Sequence, residues 1–248
     1  MKQVQISNAH SQYLDTLVSN GAFRSREEAL RQALEYHKKA YVLETNPFQI
    51  DVKPADGGAS KIQDDWIQFF NEQKQIMISA PIVYRAGQTG SKEVLASLRS
   101  DFDASWLVTS TRNSYNPSDL GARITQNYGS QVIAPKESKV LIPVYQGTAL
   151  PKVLESAEGR KYLRAEFDTR DSPKKMIKTL EDLSEKDANN ILVWTPTQEN
   201  RRAYPERAVR FYCSVGQFLI YGSSLLLDNS GRSRRVFPVS PRSGPQKQ

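Results

Sequence analysis

Residues that could carry out catalysis are sparse in most of this 248-residue chain. The two histidines, His10 and His37, lie near the N-terminus. The rest of the chain therefore lacks the base of a Ser–His or Cys–His pair, and it has no His/Cys cluster for a soft metal ion. The single cysteine, Cys213, lies in an apolar stretch, where core packing is its expected role. We assign no catalytic residue and expect neither a metal ion nor a cofactor.

One group of carboxylates leaves an enzymatic alternative open. It stands beside two lysines just before a predicted helix and comprises Glu166, Asp168, Asp171, Lys174 and Lys175. Carboxylate oxygens are ligands for Mg²⁺, and such a group could serve phosphodiester cleavage. Charged residues around a turn are more commonly just solvated. The alternative is a DNA- or nucleotide-processing enzyme, which the shortage of histidine disfavours.

Two loops carry residues suited to binding an anion. The first, over residues 85–92, places Gly87, Gly90 and Lys92 ahead of a predicted helix, whose N-terminus attracts negative charge. It does not have the spacing of a Walker A loop. The second follows a predicted strand and ends in Arg112, behind three hydroxyl side chains. Both loops are equally compatible with ordinary turns.

Arginines and tyrosines alternate in a later segment, which contains Arg201, Arg202, Tyr204, Arg207, Arg210 and Tyr212. Such a mixture could contact a nucleic-acid backbone and stack on bases. Arginines near a loop also have an ordinary structural explanation, so both interpretations stay open.

Apolar segments alternate with helical patterns beyond residue 65. Strands are predicted over 76–84, 106–110, 140–145 and 191–194, and helices over 92–102, 118–128 and 173–183. This alternation is typical of an α/β domain with a mainly parallel sheet. The last two apolar segments, 208–214 and 217–227, predict an antiparallel hairpin at the edge of the sheet.

The chain is long enough for two folded units. We predict an N-terminal unit over 1–45, a linker over 46–64, the α/β domain over 65–228 and a disordered basic tail over 229–248. The tail carries five of the seven excess positive charges, so the remainder is nearly balanced and the pI of 9.4 says little about nucleic acid. The sequence has no membrane-spanning run and no signal-peptide pattern, which favours a cytoplasmic protein without a membrane partner.

The first residues have the pattern of a short strand. Residues 3–7 alternate polar and apolar, with Val4 and Ile6 on one face. The opposite face carries Gln3, Gln5 and Ser7. A helical pattern follows and stops at Asn20–Gly21. A second helix is predicted to begin at Ser25–Glu28, where the serine hydroxyl and the glutamate carboxylate form a capping box.

A unit of about 40 residues rarely buries enough apolar area to fold alone. Pairing of two copies through antiparallel strands would satisfy the strand backbones and place Val4 and Ile6 over four helices. The glutamines of both chains would then point outward together. A two-stranded ribbon fits the major groove of B-DNA, where an amide side chain can bond to adenine N6 and N7. We therefore expect a homodimer that binds double-stranded DNA.

These residues resemble the ribbon-helix-helix family, the Arc/MetJ type of repressor. The resemblance is carried by the alternating strand, by the helix ending in Val18-Ser-Asn-Gly21, and by the stretch Ala22-Phe-Arg-Ser-Arg-Glu-Glu-Ala-Leu30, and it covers about a sixth of the chain. It implies that Gln3, Gln5 and Ser7 read base edges. It also implies that the backbone amides of Ser25 and Arg26 hold a DNA phosphate.

The sequence thus predicts a sequence-specific DNA-binding protein, a transcriptional regulator that acts as a homodimer. The α/β domain would be a sensor or oligomerisation module with an unidentified effector. A third interpretation, besides the enzyme, makes the N-terminal unit an antitoxin-like dimeriser that holds a protein partner.

Overall fold

The computed structural model describes residues 25, 27, 28, 48–222 and 230–238. The chain divides into two compact units: Met1–Pro47 with Ser240–Gln248, and Phe48–Val239. We call the second unit the body. It includes most of the segment predicted as a linker, 46–64, and half of the predicted tail, so both predicted boundaries differ from those of the body.

Within its described residues the body has ten strands: β1 Phe48–Ile50, β2 Ile76–Met77, β3 Leu107–Tyr115, β4 Gly121–Gln126, β5 Lys136–Leu141, β6 Gln146–Ala149, β7 Ile191–Trp194, β8 Glu206–Ser214, β9 Gln217–Tyr221 and β10 Arg235–Pro238. The same residues form seven α-helices: α1 Gln63–Glu72, α2 Ala80–Thr89, α3 Lys92–Ala104, α4 Leu150–Glu155, α5 Ala157–Glu166, α6 Pro173–Ser184 and α7 Gln198–Ala203. Short 3₁₀ turns lie at Ala55–Gly58 and Ala188–Asn190.

Seven strands form one mixed sheet in the order β5-β4-β3-β8-β9-β7-β6. The α/β character predicted from the sequence is confirmed in the sense that helices and strands are mixed. The prediction of a mainly parallel sheet is wrong, because β7 and β9 form the one parallel pair among the described strands of this sheet. Short links join β3, β4 and β5 in succession, and β8 turns directly into β9, whereas parallel neighbours need long crossover connections.

The predicted hairpin of β8 and β9 is confirmed as an antiparallel pair. Val215 and Gly216 form its turn with φ angles of 22° and 80°. Positive φ at both central residues matches the twist of a two-residue hairpin, and glycine adopts it without strain. The hairpin lies in the interior of the sheet order and not at its edge.

Four further predicted elements are confirmed, namely α3, β3, α6 and β7, and three are wrong. Of the residues predicted as a strand over 140–145, only 140 and 141 lie in a strand, at the end of β5. The residues predicted as a strand over 76–84 form the two-residue strand β2 and then α2, which has Pro81 in its first turn. The residues predicted as a helix over 118–128 form β4, in which Ala122 and Ile124 are buried while Arg123 is exposed.

A second sheet has the order β1-β10-β2 and is antiparallel throughout. Strand β10 therefore joins residues from the beginning and the end of the body. The segment before β10 is also fixed, since Trp66 Nε1 donates to the Gly231 carbonyl at 2.7 Å and Ser233 Oγ donates to the Val108 carbonyl at 2.9 Å. The prediction of disorder from residue 229 onward is thus wrong for residues 231–238.

Phenylalanines from several elements form the centre of the core. Phe102 of α3 lies 5.1 Å from Phe218 of β9 and 6.3 Å from Phe211 of β8, measured between ring centroids. Phe167, which follows α5, lies 6.4 Å from Phe211. Aromatic rings at these separations add specific contacts to the apolar area they bury. Cys213, expected in the core, is half-buried.

None of the helices within 48–222 has the length and apolar character needed to cross a bilayer.

Candidate functional site

Polar side chains fill the middle of β3, where a core strand usually carries apolar ones. Residues Thr109 to Asn113 are all buried. Gln63 of α1 covers this stretch, with Nε2 donating to the Thr109 carbonyl at 2.6 Å and to the Thr111 carbonyl at 2.9 Å. Because a buried polar group without a hydrogen bond is costly, each of these side chains requires a partner.

Arg112 is fully engaged in this polar interior. Its Nε donates to Gln63 Oε1 at 2.7 Å, and its two terminal nitrogens pair with Asp64 and, at 3.2 Å, with Glu206. The guanidinium also lies 3.7 Å from the Tyr128 ring centre. Two carboxylates therefore already neutralise Arg112, which removes the structural basis for the predicted anion contact.

The predicted anion loop over 85–92 is not a loop between a strand and a helix. Gly87 lies inside α2 and faces α6, where a Cβ would come within 2.4 Å of the Thr179 carbonyl oxygen. Gly90 ends α2, and the exposed Lys92 begins α3. The glycines thus serve helix packing and helix termination, and the residues do not form a phosphate cradle.

The carboxylates considered for Mg²⁺ do not converge. Asp168 pairs with Lys136 at 2.8 Å, and Asp171 pairs with Lys175 at 2.8 Å. Glu166 is buried at 0% exposure. Across the described ranges, no three His, Cys, Asp or Glu side chains are grouped so that they could hold a metal ion. The enzymatic alternative therefore has no assembled metal centre in the described part of the body.

The arginine segment is not a free basic surface either. Arg201, Arg207 and Arg210 are buried, with at most 1% of each exposed. Tyr212 stacks on Trp106 at a centroid distance of 4.7 Å. The three arginines are therefore part of the interior, and the interpretation of this segment as a nucleic-acid contact is wrong for them.

Four residues form a buried polar group that we call the Glu166 cluster: Asn113, Tyr115, Tyr162 and Glu166. Asn113 Nδ2 donates to Glu166 Oε2 at 3.2 Å, and the Tyr115 hydroxyl donates to the Gly222 carbonyl at 3.0 Å. A Cβ on Gly222 would lie 3.1 Å from the Tyr115 hydroxyl and 3.6 Å from the Tyr162 hydroxyl. The polar groups therefore meet at one point beside β9.

The Glu166 cluster is only partly satisfied. Asn113 Oδ1, the Tyr162 hydroxyl and Glu166 Oε1 are buried and have no hydrogen-bond partner among the described residues. Burial raises the pKa of Glu166 to about 8, although the hydrogen bond from Asn113 acts in the opposite direction. Glu166 is thus a neutral carboxylic acid near pH 7, which can donate as well as accept a hydrogen bond.

Arg201 of α7 adjoins this cluster, with its guanidinium 4.8 Å from the Tyr115 ring centre. Its described hydrogen bonds go to backbone carbonyls, at 3.1 Å to Pro196 and 2.6 Å to Ile142. Its Nη1 has no partner among the described residues. Burial lowers the pKa of Arg201. The interior therefore contains a cation whose described hydrogen bonds include none to a carboxylate.

A cleft of about 1160 Å³ lies at the end of the sheet where β3 and β5 end and β4 and β8 begin. Helix α5 forms part of its wall. The apolar part of the lining includes Tyr115, Ala122, Val140, Leu141 and Ala165. Its charged part includes Arg123, Lys139, Glu158, Lys161, Arg164 and Glu206. Tyr115 belongs both to this lining and to the Glu166 cluster, so the cluster lies directly behind the cleft wall.

The DNA-reading residues predicted from the sequence, Gln3, Gln5, Ser7 and Arg26, lie outside the described residues. Ser25 is described, and its Oγ accepts a hydrogen bond from the Glu28 backbone N–H at 3.1 Å. Residues 27 and 28 are helical. This hydrogen bond is the serine half of the predicted capping box.

Sequence reasoning missed the Glu166 cluster because its members are far apart in the chain. One signal was present: residues 109–114 are a run of polar side chains that directly continues an apolar strand. Threonines favour strands, so the run could have been interpreted as a strand with a polar interior instead of a turn.

No family model, curated protein or solved structure matches the chain.

Proposed function

We propose that the protein is a sequence-specific binder of double-stranded DNA, a transcriptional regulator that acts as a homodimer through residues 1–45. The strand pattern of residues 3–7 supports this proposal, because it places Gln3, Gln5 and Ser7 on one face of a ribbon. The small size of the unit supports pairing, since two copies bury the apolar face that one copy would leave in water.

The observation that carries the proposal is the cap at Ser25. The Glu28 N–H bonds to Ser25 Oγ at 3.1 Å, which occupies the amide of the third helical position. In the arrangement that the resemblance implies, the backbone amides of Ser25 and Arg26, which precede Glu28, would bind a phosphate at the positive end of the helix. A DNA phosphate held there would orient the ribbon over the groove.

We assign the body the role of a sensor or oligomerisation module. Three cations of the predicted tail are paired with body carboxylates and are not free to contact DNA: Arg232 and Arg234 with Asp101, and Arg235 with Asp51. Specific contact with DNA therefore falls to residues 1–45 in this proposal.

Selection of bound sequences from a random duplex pool by the full-length protein tests the proposal. We expect enrichment of a two-fold symmetric motif, because two ribbon strands related by symmetry read two half-sites. Sedimentation of the same full-length protein should give a dimer. A motif without symmetry, or no enrichment at all, would contradict the proposal, and a dimer that enriches nothing would favour the antitoxin-like interpretation.

Gln3→Ala/Gln5→Ala tests the reading residues. Each bidentate amide–adenine contact is worth about 1–3 kcal/mol of discrimination, so the preference for the selected motif over random DNA should largely disappear. Gln73→Ala/Gln217→Ala is the matched control, since both glutamines are exposed on the body. Equal discrimination by the two double variants would refute the assignment of Gln3 and Gln5.

A further inference from the structure

The cleft at the end of the sheet contains cations that lie close to one another, so a bound anion would reduce their repulsion. Arg123 of β4 and Lys139 of β5 are register partners, so two like charges stand directly opposite each other. Such a pair destabilises an antiparallel sheet unless a negative group lies nearby. Arg123 forms an ion pair with the carboxylate of Glu137 at 3.6 Å. Both side chains are about half exposed. A pair of this kind in water contributes little.

The other charges of the cleft leave two lysines unneutralised. Glu206 is paired with Arg112 at 3.2 Å, and the carboxylate of Asp119 accepts from the Gly121 N–H at 2.5 Å. Lys139 and Lys161 line the cleft without a hydrogen bond or ion pair to any described residue. Of the three acids of the lining, Glu206 and Asp119 are thus engaged and Glu158 remains, so its charge alone does not balance Lys139 and Lys161.

The lining also has an apolar part, which suits the body of an organic molecule. Ala122 and Ala165 are small, which leaves room beside α5, and Leu141 is 56% exposed at the mouth of the cleft. Small-molecule sites are concave, largely apolar and supplied with a few polar groups that fix orientation. The volume of about 1160 Å³ is sufficient for a ligand of moderate size.

We propose that this cleft binds a small organic acid, with an apolar body against Ala122, Val140 and Leu141 and an anionic group neutralised by Lys139 and Lys161. The site goes beyond DNA binding and does not depend on it. Where the body acts as a sensor, this acid is the chemical class of its effector.

A pair of fluorescent probes with the same aromatic body tests the charge requirement on the full-length protein. 1-Anilinonaphthalene-8-sulfonate carries an anionic group, and N-phenyl-1-naphthylamine lacks it. We expect one saturable site for the sulfonate. Lys139→Gln/Lys161→Gln should weaken its binding about three- to tenfold, the effect of losing two partly exposed ion pairs, and should leave the neutral probe unaffected.

The matched control is Lys92→Gln/Lys152→Gln, which makes the same change in net charge at two exposed lysines outside the cleft. It should bind both probes like the unmodified protein. Leu141→Ser tests the apolar wall and should weaken both probes by a similar factor.

Three results would overturn the proposal. The first is sulfonate binding that is insensitive to the Lys139/Lys161 double variant, or equally sensitive to the control. The second is an equal loss for both probes in the lysine variant. The third is stoichiometric displacement of the sulfonate by random duplex DNA, which would make the cleft a DNA surface. None of these readouts uses Gln3 or Gln5, so failure here is distinct from failure of the DNA-binding proposal.

Discussion

The body buries charge in two regions that differ in how the charge is compensated. In the first, Asp101 and Arg234 are both 2% exposed or less and lie 2.5 Å apart, and the remaining guanidinium nitrogens bond to the carbonyls of Asp51 and Ser97. In the second, Glu166 and Arg201 are 0% exposed, each with an atom that has no partner among the described residues. An unpaired buried polar group costs free energy, whereas a fully paired one does not.

The first region holds the small sheet together. Asp101 belongs to α3 and Arg234 precedes β10, so the ion pair joins the last described segment to the middle of the chain. The second region lies behind the cleft wall. It is the sheet end at which we propose that the body binds an organic acid.

The largest effect is expected from breaking the paired region. Asp101→Asn removes the carboxylate and leaves the Arg234 cation buried without a counter-charge, which should lower the free energy of unfolding by about 3–5 kcal/mol. Urea denaturation monitored by circular dichroism measures it. Glu93→Gln, an exposed position on the same helix, is the control. A decrease in unfolding free energy below about 1 kcal/mol would mean that this pair contributes no more than a surface ion pair. The two regions would then not differ in the way described.

The second prediction concerns pH and the Glu166 cluster. Glu166 has a pKa of about 8 in the folded protein against an ordinary value of 4.5. The folded state therefore binds the proton more tightly, so this group's contribution to stability is full below pH 4.5 and is lost as the pH rises through 8. Glu166→Gln should remove this fall, which is on the order of 5 kcal/mol.

Denaturation of both proteins at a series of pH values checks this expectation. The glutamine variant should be the more stable protein at high pH, and the difference should shrink as the pH decreases. The exposed change Glu158→Gln should leave the pH profile of stability as it is. If the stability of Glu166→Gln and of the unmodified protein changed with pH in the same way, the pKa of Glu166 would not be raised. The carboxyl group would then have a partner that compensates its burial.

The smallest expected effect is a difference in stability between variants of the two tyrosines of the Glu166 cluster. Tyr115→Phe loses the hydrogen bond to the Gly222 carbonyl and should cost about 1–2 kcal/mol of unfolding free energy. Tyr162→Phe removes a hydroxyl with no described partner and should change stability by less than about 0.5 kcal/mol. Thermal denaturation of the two variants side by side measures the difference. An equal or larger cost for Tyr162→Phe would show that this hydroxyl is bonded after all.

Local patterns predicted elements that have clear boundaries in the sequence. The start of α6 is an example, because Ser172 caps it through the Lys175 N–H at 3.3 Å and Pro173 occupies its first turn. Helix α3 begins in the same way, with Ser91 accepting from the Val94 N–H. Serine caps and a proline in the first turn are strong signals of a helix start.

The strand predicted over 76–84 was wrong because its residues do not distinguish a strand from a helix. Residues 76–84 are buried on all sides as far as Tyr84, so their apolar run has no face that would distinguish strand from helix. The decisive signal was Ser79 followed by Pro81, which starts α2 after a strand of two residues. The parallel sheet was inferred from an alternation that contained two false strands, over 76–84 and 140–145, and one false helix, over 118–128, so that inference could not hold.

The site was beyond prediction from local sequence for a different reason. Asn113 and Glu166 are 53 residues apart, and Asp101 and Arg234 are 133 apart. Nothing in the sequence around Glu166 distinguishes it from the neighbouring acids, since its raised pKa results from burial by distant elements. Only the fold separates it from Asp168 and Asp171.

The pairing of β1 with β10 determines how the body could be inserted into another protein or circularly permuted. Phe48 and Pro238 are register partners, so the chain enters and leaves the body at neighbouring positions, about 5 Å apart across a strand pair. Ends that close permit insertion of the whole body into a surface loop of a host protein, and they permit a circular permutant opened at the exposed turn of Val215 and Gly216.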